Sequence, residues 1–134
     1  MPMIILTCLA SKLCNKQVVW IEDRMEHLTA ASSATGRLTK IKASIDDQGT
    51  IHALDYDQID DVGAYPRAPE PASLYRMHGN LSGAYKVKNI RCRNRVILTN
   101  KTPSGLNRGF GGPQHYFALE RLVHQIAVEL KLNV

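Results

Sequence analysis

The residues best suited to chemistry are Arg108-Gly-Phe-Gly-Gly-Pro-Gln114, set between a polar Pro/Gly turn starting at Asn100 and an apolar-striped carboxy-terminal segment. Glycines at 109, 111 and 112 permit positive φ and let a backbone approach a ligand closely. Pro113 suits the first turn of a helix, whose amino-terminal N–H groups and partial positive charge favour an anion. Arg108 adds a planar, multidonor guanidinium matched to phosphate or pterin oxygens. Phe110, a phenyl ring between glycines in a polar loop, has either the core or a ligand to pack on. The spacing is neither that of a dinucleotide fingerprint nor that of a Walker loop. On residue types alone, a ligand-binding turn and a plain structural turn are both open.

The elements around this loop must position it. Residues 114–130 place Leu119, Leu122, Val123, Ile126, Ala127 and Leu130 on one side of a helix. Ile90–Thr99 alternates, which predicts a strand with Ile90, Cys92, Asn94, Val96 and Leu98 on one face and Arg91, Arg93, Arg95 and Ile97 on the other. Arg37–Asp46 and Thr50–Val62, joined by Asp46-Asp-Gln-Gly49, read as a hairpin, since Asp and Gly tolerate turn conformations. Pro66, Pro69 and Pro71 make Gly63–Ser73 a surface excursion, followed by a short helical turn near Leu74–Met77. Near the amino end, Ile4, Ile5, Cys8, Leu9 and Leu13 form a helical stripe expected to cap a sheet. Gln17–Ile21 reads as a short strand, and Glu22-Asp-Arg24 as a polar loop or turn. This order lacks regular strand–helix alternation, so the expected class is α+β: a mostly antiparallel sheet with packed helices, forming one domain over 1–134.

At 134 residues, with 44% hydrophobic and 22% charged side chains, the chain has the size and balance of one soluble domain. No apolar run approaches the roughly 20 residues of a membrane span, and the apolar start lacks a preceding basic residue, so a cytoplasmic protein is expected. Three cysteines, at 8, 14 and 92, have no metal-ligand spacing and are expected to be buried thiols. The five histidines form no ligand cluster, so no metal site is expected, and His115 is left open between a surface helix-start residue and a functional one. A net charge of +5 draws acidic partners: nucleic acid, phosphate-bearing cofactors or an acidic subunit.

The fuller stretch Thr99-Asn-Lys-Thr-Pro-Ser-Gly-Leu-Asn-Arg-Gly-Phe-Gly-Gly-Pro-Gln114 resembles the large, molybdopterin-binding subunits of molybdenum hydroxylases. These form the xanthine dehydrogenase, aldehyde oxidase and carbon monoxide dehydrogenase family, in which a Thr-Asn-Lys-x-Pro turn precedes an Arg-Gly-Phe-Gly-Gly-Pro-Gln loop. Val18-Val-Trp-Ile-Glu-Asp-Arg-Met-Glu-His27 is similar to the family's Pro-Val-Lys-Trp-x-Glu-Asp-Arg-x-Glu segment. Asp60–Tyr65 and Gly83–Arg91 extend the match in the family's order, over roughly residues 10 to 132. The chain resembles only the middle segment of that subunit.

The resemblance implies a molybdenum–molybdopterin cofactor contacted by Arg108 and Gly109, with Gly111 and Gly112 in the same cradle. It assigns aromatic stacking on substrate to Phe110 and, through the spacing back from Tyr85-Lys86, substrate orientation to Arg76. The implied reaction is hydroxylation of aldehydes or aromatic heterocycles with water as the oxygen source. Phe110 argues against carbon monoxide, since the dehydrogenases acting on it resemble the family here but have a cysteine-bearing loop. The family's glutamate base and its Gly-Gly-Phe-Gly-Gly loop are absent, and Glu120 and Glu129 read as solvent-facing, so no residue of this chain is assigned as catalyst. Cysteine clusters and a flavin signature are also missing, placing iron–sulfur centres and FAD on other subunits. The expectation is therefore one piece of a split large subunit that shares its cofactor with partner subunits and is not catalytically complete alone. Homo-oligomerisation is compatible with this. Two alternatives remain: a cofactor-less structural or assembly subunit, and a small nucleic-acid binder using Arg91, Arg93, Arg95, Lys86 and Lys88. The second is disfavoured by the lack of stacking aromatics on that face.

Overall fold

The computed structural model describes residues 2–34, 36–68 and 76–133. The chain divides into two compact units, residues 1–31 and 32–134.

The first unit holds helices α1 (Pro2–Cys14) and α2 (Arg24–Ala30). The apolar stripe of α1 forms as the spacing predicts, but the described residues of its unit contain no strand for it to cap, and Ile4, Ile5, Leu9 and Leu13 are exposed. Gln17–Ile21 is not a strand: its β-favouring residues have no ladder to join, and Val19, Trp20 and Ile21 are exposed. Glu22 and Asp23 form the expected polar loop, but Arg24 enters a helix, which Asp23 starts through a capping box. The Glu26 N–H donates to Asp23 Oδ1 at 2.8 Å, and the Asp23 N–H donates back to Glu26 Oε2 at 2.9 Å.

The second unit is a three-stranded sheet of β1 (Gly36–Ile45), β2 (Ile51–Asp61) and β3 (Asn89–Ile97), with one long helix, α3 (Gly112–Glu129), packed on one face. Strand order is β1-β2-β3. The β1–β2 ladder is antiparallel and the β2–β3 ladder parallel, so the α+β class holds with a mixed sheet. The hairpin forms at the predicted turn because Asp46 Oδ1 accepts the N–H groups of Gln48 and Thr50 at 3.0 and 2.8 Å, while Gly49 takes φ of 82°. β3 runs parallel because residues 62–88 cross over before it, a connection longer than the dozen residues such pairing needs.

β2 alternates strictly, turning Leu54, Tyr56, Gln58 and Asp60 inward. Leu54 and Tyr56 meet Leu119 of α3 in the core, flanked by Ile41, Ile90, Cys92, Leu122 and Val123. Beside the core, Arg37 forms a bidentate ion pair with Asp60 at 2.7 and 3.1 Å, both side chains almost wholly buried. Such a pair adds little net stability, but removing one partner strands a charge. The cysteines depart from expectation: Cys8 and Cys14 are exposed and Cys92 is half-buried, all as free thiols. The two amino-terminal thiols lie on a helix that buries none of its described side chains.

Candidate functional site

Two sets of backbone hydrogen bonds fix the path into the Arg108 loop. After β3, the chain zips to the end of β2: the Thr99 N–H donates to Gly63 O, the Ala64 N–H to Lys101 O, and the Ser104 N–H to Val62 O, each at 3.0 Å. Gly63 is required here, since its φ is 76° and a Cβ would stand 2.5 Å from the Thr102 carbonyl. Asp61 locks the same junction by accepting from Lys101 Nζ at 2.7 Å, Thr99 Oγ1 at 2.6 Å and the Gly63 N–H at 3.0 Å. These donors, Lys101 foremost, hold its carboxyl down to about 2. The Gly105 N–H then donates to Ser33 O at 2.9 Å, which brings the strand-entry segment against the loop.

Residues 107–112 form a chain of tight turns. The Arg108 N–H donates to Asn107 Oδ1 (2.8 Å), the Phe110 N–H to Asn107 O (3.0 Å), and the Gly112 N–H to Gly109 O (2.8 Å). Gly109 and Gly111 take φ of 70° and 80°, left-handed conformations that L side chains resist. Gly111 is the N-cap of α3 and offers no side-chain acceptor to its first turn, while Pro113 occupies that turn. The positive end of an eighteen-residue helix thus opens at the loop. Arg108 is exposed and Phe110 half-buried. Together with Ala34, Asn107, Pro113 and Gln114 they line a cavity of about 170 Å³. Arg108, Gly109, Phe110 and Gly111 are therefore brought together. Gly112 sits one step inside, buried, where a Cβ would meet the Tyr116 ring at 3.5 Å and Met77 Sδ at 3.8 Å.

That contact brings in the crossover. Its short 3-10 helix, Arg76–Asn80, sits at the start of α3: Asn80 Nδ2 donates to Tyr116 Oη at 2.6 Å. Tyr56 Oη, on a phenol that burial pushes up to about 12, donates to Leu81 O at 2.7 Å. Tyr85 Oη donates to Glu120 Oε2 at 2.6 Å, which raises the Tyr85 phenol. The Arg76 side chain lies outside the described residues, as do Pro69, Pro71 and residues 74–75 of the expected helical turn. Glu120 and Glu129 are exposed, as their helical positions predict.

His115 is resolved against the surface option. It is completely buried, 5.4 Å from the ring centroids of both Tyr56 and Tyr116. Neither ring nitrogen meets a hydrogen-bond partner among the described residues. Burial, then the charge of Arg37, lowers its basicity; backbone groups of Asn80 and Leu81 favour the cation but are outweighed. The sequence holds the signal, because 115, 119, 122 and 126 are one helical stripe, which a count of apolar residues alone begins at Leu119. Among the described residues no cluster of His, Cys, Asp or Glu is able to hold a metal ion. Nor is any helix of the described residues long and apolar enough to cross a membrane.

The family model of the molybdopterin cofactor-binding domain matches residues 1–134. This chain belongs to the molybdopterin cofactor-binding domain family. It is 31% identical over 124 residues to the 6-hydroxypseudooxynicotine dehydrogenase complex subunit gamma of Paenarthrobacter nicotinovorans, covering 92% of this chain and 16% of that subunit. It is 32% identical over 112 residues to a xanthine dehydrogenase of Emericella nidulans, covering 84% of this chain and 8% of that enzyme. The crystal structure of quinoline 2-oxidoreductase from Pseudomonas putida 86 superposes with a TM-score of 0.89 at 31% identity, over 98% of this chain and 17% of that one. The chain thus corresponds to a segment of a molybdenum hydroxylase large subunit and spans about a sixth or less of these relatives.

Proposed function

We propose that these 134 residues supply one wall of a molybdenum–pterin site in a molybdenum hydroxylase, the other walls and the catalytic base coming from companion subunits. The observation that carries this is the loop itself: an exposed guanidinium and two positive-φ glycines around a small cavity at the uncapped start of α3. Its donors fit an anionic, oxygen-rich pterin cofactor. Its size fits only part of one, since about 170 Å³ falls below the roughly 300–1,000 Å³ of complete small-molecule sites.

In this reading Arg108 grips the cofactor, while Gly109, Gly111 and Gly112 keep its path clear of side chains. When bound, the cofactor supplies the redox chemistry of hydroxylation with water as oxygen source. Phe110 stacks on the substrate and Arg76 orients it, which favours aldehydes or aromatic heterocycles. Glu120 accepts from Tyr85 on the flank of α3, and the base is assigned outside these residues. Iron–sulfur and flavin groups sit on other cytoplasmic subunits of the complex. Both compact units belong to one partial domain, in keeping with the single family model that spans them.

Coexpression of the tagged chain with the polypeptides encoded beside it, followed by molybdenum and pterin analysis of the purified assembly, tests the reading. One molybdenum and one pterin per chain is the expected result. A stable assembly, or a stable lone chain, with neither group and no affinity for the cofactor would mean a structural subunit instead.

A further inference from the structure

The face of the sheet turned away from α3 has a charge pattern that the cofactor reading does not use. Strand register stacks it in rows: Lys42, Asp55 and Arg91; Lys40, Asp57 and Arg93; then Leu38, Ile59 and Arg95. Arg91 grips Asp55 at 2.8 and 2.5 Å, and Arg95 reaches Asp57 at 2.7 Å. Both aspartates are thereby taken by β3. Lys40, Lys42 and Arg93 hold no ion pair among the described residues, although the charges of Lys42 and Arg93 help to keep the Asp55 carboxyl low. Five cations face two aspartates, a surplus of three. Lys40, Lys42, Arg91 and Arg93 border an open cleft of about 320 Å³ over the central strand.

We propose that this face is a docking surface for an acidic segment of a companion subunit. The basic columns on β1 and β3 stand two strand spacings apart, roughly 10 Å, too wide for one small anion to bridge. Within each column the cations repeat every second residue, about 7 Å, which is the spacing of carboxylates along one face of an extended Glu-x-Glu segment. The third row adds Leu38, 60% exposed, and Ile59, giving an apolar foothold beside the charges that suits a polypeptide. Nucleic acid suits it less: Tyr56, the aromatic bordering the cleft, is wholly buried, and the aspartate column repels phosphates along the middle. The proposal does not depend on cofactor binding.

The test uses the intact chain and two labelled probes, a Glu-Thr repeat peptide ending in Leu and an oligothymidine of matched length, read by fluorescence anisotropy. The peptide is expected to bind at about 50 mM salt and weaken as screening shortens toward 1 M. Lys40→Ala/Lys42→Ala/Arg93→Ala should weaken it by about tenfold, each exposed pair being worth a few-fold, whereas the charge-matched Lys12→Ala/Lys16→Ala/Lys131→Ala should change it less than about twofold. Leu38→Asn, which leaves every charge in place, should weaken the peptide and not the oligothymidine. Equal loss in both triple variants would reduce the effect to net charge and overturn the proposal, as would no binding at all. Tighter binding of oligothymidine that depends on Lys40, Lys42 and Arg93 would assign the face to nucleic acid instead.

Discussion

α1 and α3 are both apolar-striped helices, yet they end in opposite environments. Ile4, Ile5, Leu9 and Leu13 of α1 lie exposed, whereas Leu119 of α3 is fully buried and Ile126 nearly so. The difference lies in what each unit offers in return. α3 faces the inward side of β2, where strict alternation presents Leu54 and Tyr56 to it. α1 shares its unit with a seven-residue helix and an extended segment, neither of which presents a complementary face. Periodicity in sequence thus specifies which face a helix will bury, and a second element decides whether it is buried. The capping box of α2 shows the other half of this: local hydrogen bonds suffice to form a short helix without any core beneath it.

The contrast breaks most sharply at the buried ion pair. Arg37→Ala leaves Asp60 buried without its partner and should cost the second unit about 3–5 kcal/mol. Thermal unfolding followed by tyrosine near-ultraviolet dichroism is expected to fall steeply, while amide exchange in α2 stays as it was. Parallel loss in both units would show that they fold as one.

A smaller effect sharpens the contrast through pH. His115 has its basicity lowered by burial in the folded chain, so the unfolded chain binds a proton more readily. Stability from this group is complete above the ordinary histidine value of 6.5 and declines as pH falls below it toward the lowered value. His115→Leu removes the titration and should flatten that part of the melting-temperature profile. An unchanged slope would place the acid sensitivity elsewhere.

The smallest effect belongs to the first unit. Asp23→Ala should cost α2 about 0.5–2 kcal/mol and speed amide exchange across Arg24–Ala30. The midpoint of the second unit should move by less than about 0.5 kcal/mol, as for independent sites. A larger shift would join the units.

Much of the second unit is legible in the sequence. The Asp46–Gly49 turn, the alternation of β2 and β3 and the stripe of α3 are local patterns with local causes. Parallel pairing of β3 is not legible, because direction is set by where a long crossover returns. Gln17–Ile21 misleads because strand propensity describes fit to a ladder, and no ladder is there. At the site, the glycines and Arg108 are readable from spacing. The burial of His115 is half legible, since it lies on the stripe of Leu119, Leu122 and Ile126, but its contact with Tyr56 and the pinning of the loop by Asp61 and Lys101 join residues that no local window contains.

The central claim is that the Arg108 loop holds the cofactor, and retention by paired variants of the assembled complex tests it most directly. Arg108→Ala removes a charge-assisted donor worth about 1.5–3 kcal/mol, so molybdenum and pterin should be lost roughly 10- to 100-fold more readily on dialysis. Phe110→Ala should keep the cofactor and mainly impair turnover of aromatic substrates. Full retention in Arg108→Ala together with loss in Phe110→Ala would contradict the account.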